Sequence, residues 1–190
     1  MTDANALIAG QSLRVPVVPV AVVPTSAAIP NCTTQWFFIF TVGADPNCPG
    51  PAVTTSAAGE NFEGGRVYWY AAVPASSDPR GTLYVIYNDG TWETFVDTWS
   101  EGQTTSDPNI VPPADRYQPV RGIGKLWREN TEVRSRLGWA YEPESAFAGR
   151  RQGPTVNTPY IYIDHGWRNL VLRLTSIDNG PNRWIVAGRY

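Results

Sequence analysis

The 190-residue chain has two cysteines, one histidine, one methionine and, among its fifteen basic residues, one lysine, Lys125. Each scarcity removes a class of chemistry. Cys32 and Cys48 have no CxxC partner and no neighbouring histidine, so no cysteine-based zinc site is expected. They lie in a Pro- and Gly-rich stretch, and a disulfide between them would close a loop of about 15 residues, restricting the unfolded chain by roughly 3 kcal/mol in an oxidising compartment. Two free thiols are the alternative. With His165 the only histidine, there is no HExxH pair and no serine elbow with a base, and a water-exposed turn histidine is expected. Net charge is also small. Seventeen acidic residues against fifteen basic ones give no long-range attraction for phosphate backbones, so nucleic acid is not expected as a partner. The apolar run Trp36 to Phe40 is too short to span a bilayer, so no membrane insertion is expected. Met1 to Gly10 lacks the charged and apolar regions of a signal peptide, so a secreted form would carry its signal outside this sequence. Gly64-Gly65 lacks the lysine and following helix of a phosphate loop, and no cofactor is expected.

Turn signals, β-branched residues and aromatics are plentiful. Val15 to Pro30 places prolines at 16, 19, 24 and 30, which locks φ and removes backbone donors, so residues 17–30 read as an extended linker or arm. A proline-interrupted edge strand is the alternative. Trp36 to Val42 reads as a buried strand. Phe62 to Trp69 reads as a tight turn into a strand, and Leu83 to Tyr87 as its partner. Asn88-Asp89-Gly90 is a hairpin signal leading into Thr91 to Phe95, where Trp92 and Phe95 break strict alternation and predict an end or bulge near Thr94. A second copy of the plan follows: Phe147 to Arg151 is like Phe62 to Arg66, Tyr160 to Gly166 is like Leu83 to Gly90, and Leu170 to Leu174 returns. Trp184 to Ala187 makes a last strand. Glu129 to Leu137, stopped by Gly138, is the one helical candidate. The expected fold is mainly β: antiparallel hairpins in a duplicated unit, with halves at about 60–100 and 145–190, forming one compact domain over 31–190 with one short helix near 129–137.

Eight tryptophans, nine tyrosines and six phenylalanines suit both core packing and stacking on sugar rings. Consecutive Trp69 and Tyr70 must point to opposite faces of a strand, so one of them is expected at the surface. With Glu63, Arg66 and Trp92 they form the candidate ligand platform. Acids near the expected turns, Glu63, Asp89, Glu93, Asp97, Glu101, Glu142 and Glu144, keep a carboxylate-pair glycosidase open.

Three resemblances add context. Asn5-Ala6-Leu7-Ile8-Ala9-Gly10-Gln11-Ser12-Leu13-Arg14-Val15-Pro16 resembles the closing segment of a LysM module. That likeness implies a wall-binding unit of which residues 1–16 are a C-terminal fragment, lacking the first strand and helix. The blocks FEGGRVYW (62–69), LYVIYNDGTW (83–92) and RSRLGWA (134–140) are similar to an uncharacterised module of secreted Chloroflexota-type proteins, which implies no activity. Leu137-Gly138-Trp139-Ala140 followed by Phe147-Ala148-Gly149-Arg150 resembles the LGFP repeat of wall-associated proteins, with Trp139-Ala140 in place of Phe-Pro. The expectation is an extracellular or cell-surface, non-catalytic module for envelope attachment or binding of a cell-wall or extracellular glycan. The alternatives are a surface protein that assembles with itself through the N-terminal arm, and a glycoside hydrolase.

Overall fold

The computed structural model describes residues 31–190 apart from residue 75; the LysM-like segment and the Pro-rich stretch lie outside the described residues. Nine strands form one antiparallel sheet. They are β1 (Ile39–Phe40), β2 (Val53–Phe62), β3 (Gly65–Tyr70), β4 (Thr82–Tyr87), β5 (Trp92–Val96), β6 (Ser145–Gln152), β7 (Tyr160–Asp164), β8 (Leu170–Thr175) and β9 (Arg183–Arg189). Between β5 and β6 lie two helices, α1 (Arg121–Glu129) and α2 (Thr131–Leu137). The spatial order is β1-β9-β8-β7-β6-β2-β3-β4-β5. Two four-strand meanders, β2 to β5 and β6 to β9, are therefore joined through their first strands, with Ala57 opposite Phe147. Their last strands also meet: Thr91 bridges Arg183, and Trp184 N–H donates to Gly90 O at 3.0 Å. The sheet curls on itself.

Curling gives the sheet an inner and an outer face, and both are covered. Tyr68, Tyr70, Tyr84, Ile86, Trp92, Ile163, Leu172 and Leu174 fill the inner core. On the outside, the helices cover the first meander, where Ile123, Trp127, Val133 and Leu137 pack on Phe62, Val67, Leu83, Val85 and Tyr87. The segment before β2 covers the second, where Trp36, Phe37, Phe38 and Phe40 meet Tyr160 and Tyr162. Cys32 and Cys48 are disulfide-bonded and close that segment.

The Asn88-Asp89-Gly90 hairpin forms between β4 and β5, with Gly90 at φ 84°, a conformation that suits a residue without a Cβ. β5 runs on regularly to Val96, which pairs with Thr82, so the expected break near Thr94 is absent. Trp92 belongs to the inner core and Phe95 packs under the helices; residues three apart on a strand point to opposite faces, so both are accommodated without a break. Phe147 to Arg151, expected as a turn, lies within β6. By topology the equivalent strands are β2 and β6, then β3 and β7, one strand away from the register that the sequence likeness suggests. The expected helix is α2, capped by the Asn130 side chain accepting from Val133 N–H at 3.1 Å. α1 is additional. The apolar run 36–42 yields only β1, with Ile39 78% exposed.

Candidate functional site

On the outer face, where the first turn of α1 meets the β2–β6 seam, lies a cleft of about 340 Å³. Trp69 reaches it from β3, Asp97 and Trp99 from the chain leaving β5, Arg121 and Gly122 from α1, and Glu144 from the residue before β6. Trp69 comes to this face because Arg66, Tyr68 and Tyr70 alternate with it toward the inner core. Asp97 is held by its own turn, accepting the Trp99 N–H at 2.9 Å. Its carboxylate lies against the start of α1: a Cβ on Gly122 would fall 2.5 Å from Asp97 Oδ1, so glycine leaves the room. Arg121 has φ 49°, a left-handed conformation worth roughly 1–3 kcal/mol of strain for a non-glycine residue. Its N–H donates to Thr105 O at 3.0 Å, and its guanidinium pairs with Glu144.

Beside the cleft stands Glu60. Gly59 pairs with Ser145 across the β2–β6 ladder, so continuing that register by one residue sets Glu60 next to Glu144. Glu60 is 1% exposed, and its Oε2 has no hydrogen-bond partner among the described residues. Burial, then the Glu144 and Glu142 carboxylates, push its pKa up to about 8. At neutral pH Glu60 is thereby held largely in its neutral form beside the Glu144 and Glu142 carboxylates. The buried indole nitrogens of Trp69 and Trp99 also lack partners among the described residues. The cleft combines two aromatic rings, two carboxylates and a guanidinium, which suits a polyhydroxylated ligand with apolar ring faces.

The residues proposed from sequence are not brought together. Trp69 lines the cleft. Tyr70 is fully buried in the inner core, where its hydroxyl donates to Asp164 O at 2.6 Å. Trp92 is 6% exposed and its Nε1 donates to Thr175 O at 3.1 Å. Arg66 is buried on the same inner face. Glu63 occupies the β2–β3 turn, paired with Arg116 at 2.7 Å and accepting the Trp139 N–H at 3.1 Å. The Arg116 hydrogen bond, then the Trp139 amide, hold its carboxyl below the usual range. The five therefore do not make one surface platform, because the curled sheet covers both faces of β3 and buries Trp92 at the start of β5. His165, expected in water at a turn, is partly buried at the end of β7, its ring edge-on to Tyr68. Asp97 and Glu144, both among the acids near turns, share the cleft with Trp69 and Trp99. Glu60 and Arg121 had no such signal; the sequence hint was a single acid at the alternate positions Ala58, Glu60 and Phe62 of an otherwise small or apolar strand face.

No family model, no curated protein and no solved structure matches the chain. Among the described residues no three His, Cys, Asp or Glu side chains are grouped to hold a metal ion, and no helix is long and apolar enough to cross a membrane.

Proposed function

We propose that the protein is an extracellular module that binds glycan, through the cleft between α1 and the β2–β6 seam. The observation that carries this reading is the convergence of Trp69 and Trp99 with Asp97, Glu144 and Arg121 on one cleft of about 340 Å³. Indole faces stack on the C–H faces of pyranose rings, while carboxylates accept and guanidinium donates to ring hydroxyls. The disulfide agrees with an oxidising compartment. The resemblance of residues 1–16 to a LysM ending and of 137–150 to an LGFP repeat makes cell-wall polysaccharide the first ligand class to try.

Titration with soluble peptidoglycan fragments and a panel of neutral and acidic oligosaccharides, followed by tryptophan fluorescence, tests it. The expected result is a saturable change that is weakened at least about tenfold by Trp99→Ala, the cost of losing one stacked, partly desolvated ring. Absence of any saturable change across the panel removes the reading.

Glycoside hydrolysis is the second reading, favoured by Glu60. A hydrolase needs one carboxyl kept protonated, and Glu60, buried beside the Glu144 and Glu142 carboxylates, has its pKa raised in that direction. Release of reducing ends from a bound polysaccharide, lost in Glu60→Gln, would favour it; binding without release would leave the module non-catalytic.

A further inference from the structure

The cleft between α1 and the β2–β6 seam is unbalanced in charge. Its lining sets two carboxylates, Asp97 and Glu144, against one guanidinium, Arg121, and Glu144 takes that guanidinium. Asp97 is 8% exposed, and among the described residues no cationic side chain pairs with it. The other basic side chains of α1 are engaged elsewhere: Lys125 Nζ donates to Thr98 O at 3.0 Å and to Gln103 Oε1 at 3.2 Å, and Arg128 donates to Thr105 O and Pro119 O. Asp97 Oδ1 accepts the Trp99 N–H at 2.9 Å, whereas Oδ2 accepts nothing among the described residues and, unlike the sealed Oε2 of Glu60, stays open to the cleft. The carboxylate lies against Gly122 in the first turn of α1, which adds a partial positive charge. Among the described residues, however, no amide of that turn donates to it; Arg121 N–H goes to Thr105 O and Gly124 N–H to Val120 O.

A largely buried carboxylate without a counter-charge is disfavoured, and a ligand that brings the missing cation removes that cost. The two rings of the cleft suit the same charge. Trp69 and Trp99 are partly exposed, and among the described residues no guanidinium stacks on either, whereas Trp127, Trp139 and Trp167 each carry one. A free indole face attracts an ammonium and also takes the C–H face of a sugar ring. Resting on the glycan reading of this cleft, we propose that its ligand is an amino sugar with a free, protonated amine, whose ammonium is held by Asp97 Oδ2 beside the indole faces. An N-acetylated sugar keeps the stacking and loses the ion pair. A uronic acid is disfavoured, because it adds a negative charge next to Asp97 and Glu144. Arg121 fits the same reading: its φ of 49° at the start of α1 is strain of the kind found at ligand sites, and its pairing with Glu144 leaves Asp97 as the free anion.

Calorimetric titration of the full chain tests it, at about pH 6, below the range in which an amine of this kind loses its proton. The probes are β-linked glucosamine oligomers, the same oligomers N-acetylated, oligogalacturonate and butylamine. The glucosamine oligomer is expected to bind at least about tenfold more tightly than its N-acetylated form, the value of one hydrogen bond between charged groups, and added salt should shrink that advantage. Asp97→Asn keeps an acceptor for the Trp99 N–H and removes the charge, so the ratio of the two affinities should fall to about one. If that variant does not fold, the ligand comparison carries the test alone, because it alters only the sugar. Equal affinity for the two forms overturns the amine assignment and leaves the glycan reading standing, as does a preference that survives in Asp97→Asn or tighter binding of oligogalacturonate. Butylamine binding as tightly as the glucosamine oligomer overturns the sugar part of the assignment. Only the failure of every oligosaccharide to bind removes the glycan reading together with this inference.

Discussion

Two side chains with opposed titrations dominate the residue scale. Glu60 has a pKa of about 8 in the fold against an ordinary 4.5. Between those values the native state holds a proton that the unfolded chain has released, so stability falls as pH rises. His165 has about 4 in the fold against an ordinary 6.5. Between those values acid protonates only the unfolded chain, so stability falls as pH drops. Where the windows overlap, from 4.5 to 6.5, the slopes cancel. The melting temperature is therefore expected to be level across that overlap and to fall above it towards pH 8, with unfolding free energy dropping by an amount on the order of 2 kcal/mol. Glu60→Gln should abolish the alkaline fall and, with the cancellation gone, extend the acid limb up to about pH 6.5. Thermal melts of both proteins over the range check this, and a native protein with no alkaline fall would mean that Glu60 ionises freely. The sequence offers only the hint of a lone acid between Ala58 and Phe62 on one strand face; its burial is set by the β2–β6 seam and by the residues across it.

At the scale of elements, the parts read from sequence are those whose signals are local. The Asn88-Asp89-Gly90 hairpin needs only its own turn residues, and α2 needs only its four-residue apolar spacing and its closing glycine. α1 escaped because Gly122 and Gly124 lower its intrinsic propensity; tertiary packing of Ile123 and Trp127 supplies what propensity does not. The ligand platform escaped for a related reason. Alternation places Trp69 and Tyr70 on opposite faces, but it cannot say that both faces are covered, and so Tyr70 and Trp92 went inside. Asn130 joins the two helices. Its N–H closes α1 on Leu126 O at 2.9 Å, and its side chain opens α2 on Val133 N–H. Asn130→Ala is expected to cost about 1 kcal/mol, and Asn130→Asp much less, because aspartate caps equally well. Denaturant midpoints with unchanged slopes would measure the cap alone. Equal midpoints for the native protein and Asn130→Ala would show that water replaces the cap at no cost.

On the scale of the whole molecule, the two meanders share an inner core but have different outer covers, and the covers are held in different ways. The helices over β2 to β5 are held by apolar packing and by Trp127 Nε1, which donates to Gly138 O at 2.7 Å. The segment over β6 to β9 has little regular structure of its own, so its anchors are mainly side chains. Gln152, 2% exposed, accepts the Phe37 N–H at 2.9 Å and donates to Gln35 O and Gly50 O. The Tyr162 hydroxyl donates to Asp45 Oδ2 at 2.9 Å. The Cys32–Cys48 bond ties the two ends of that cover together, limiting the freedom it regains on unfolding. Reduction is therefore expected to lower stability by about 3 kcal/mol, read as a shift of the denaturant midpoint. Binding at the cleft should be nearly unchanged in the reduced but folded protein, because Trp69, Trp99, Asp97 and Glu144 belong to the other cover and to the seam. Fluorescence and far-UV circular dichroism should report one transition in the oxidised protein. If they separate after reduction, the cover has come away before the sheet, and the disulfide is what makes the second half fold cooperatively with the first.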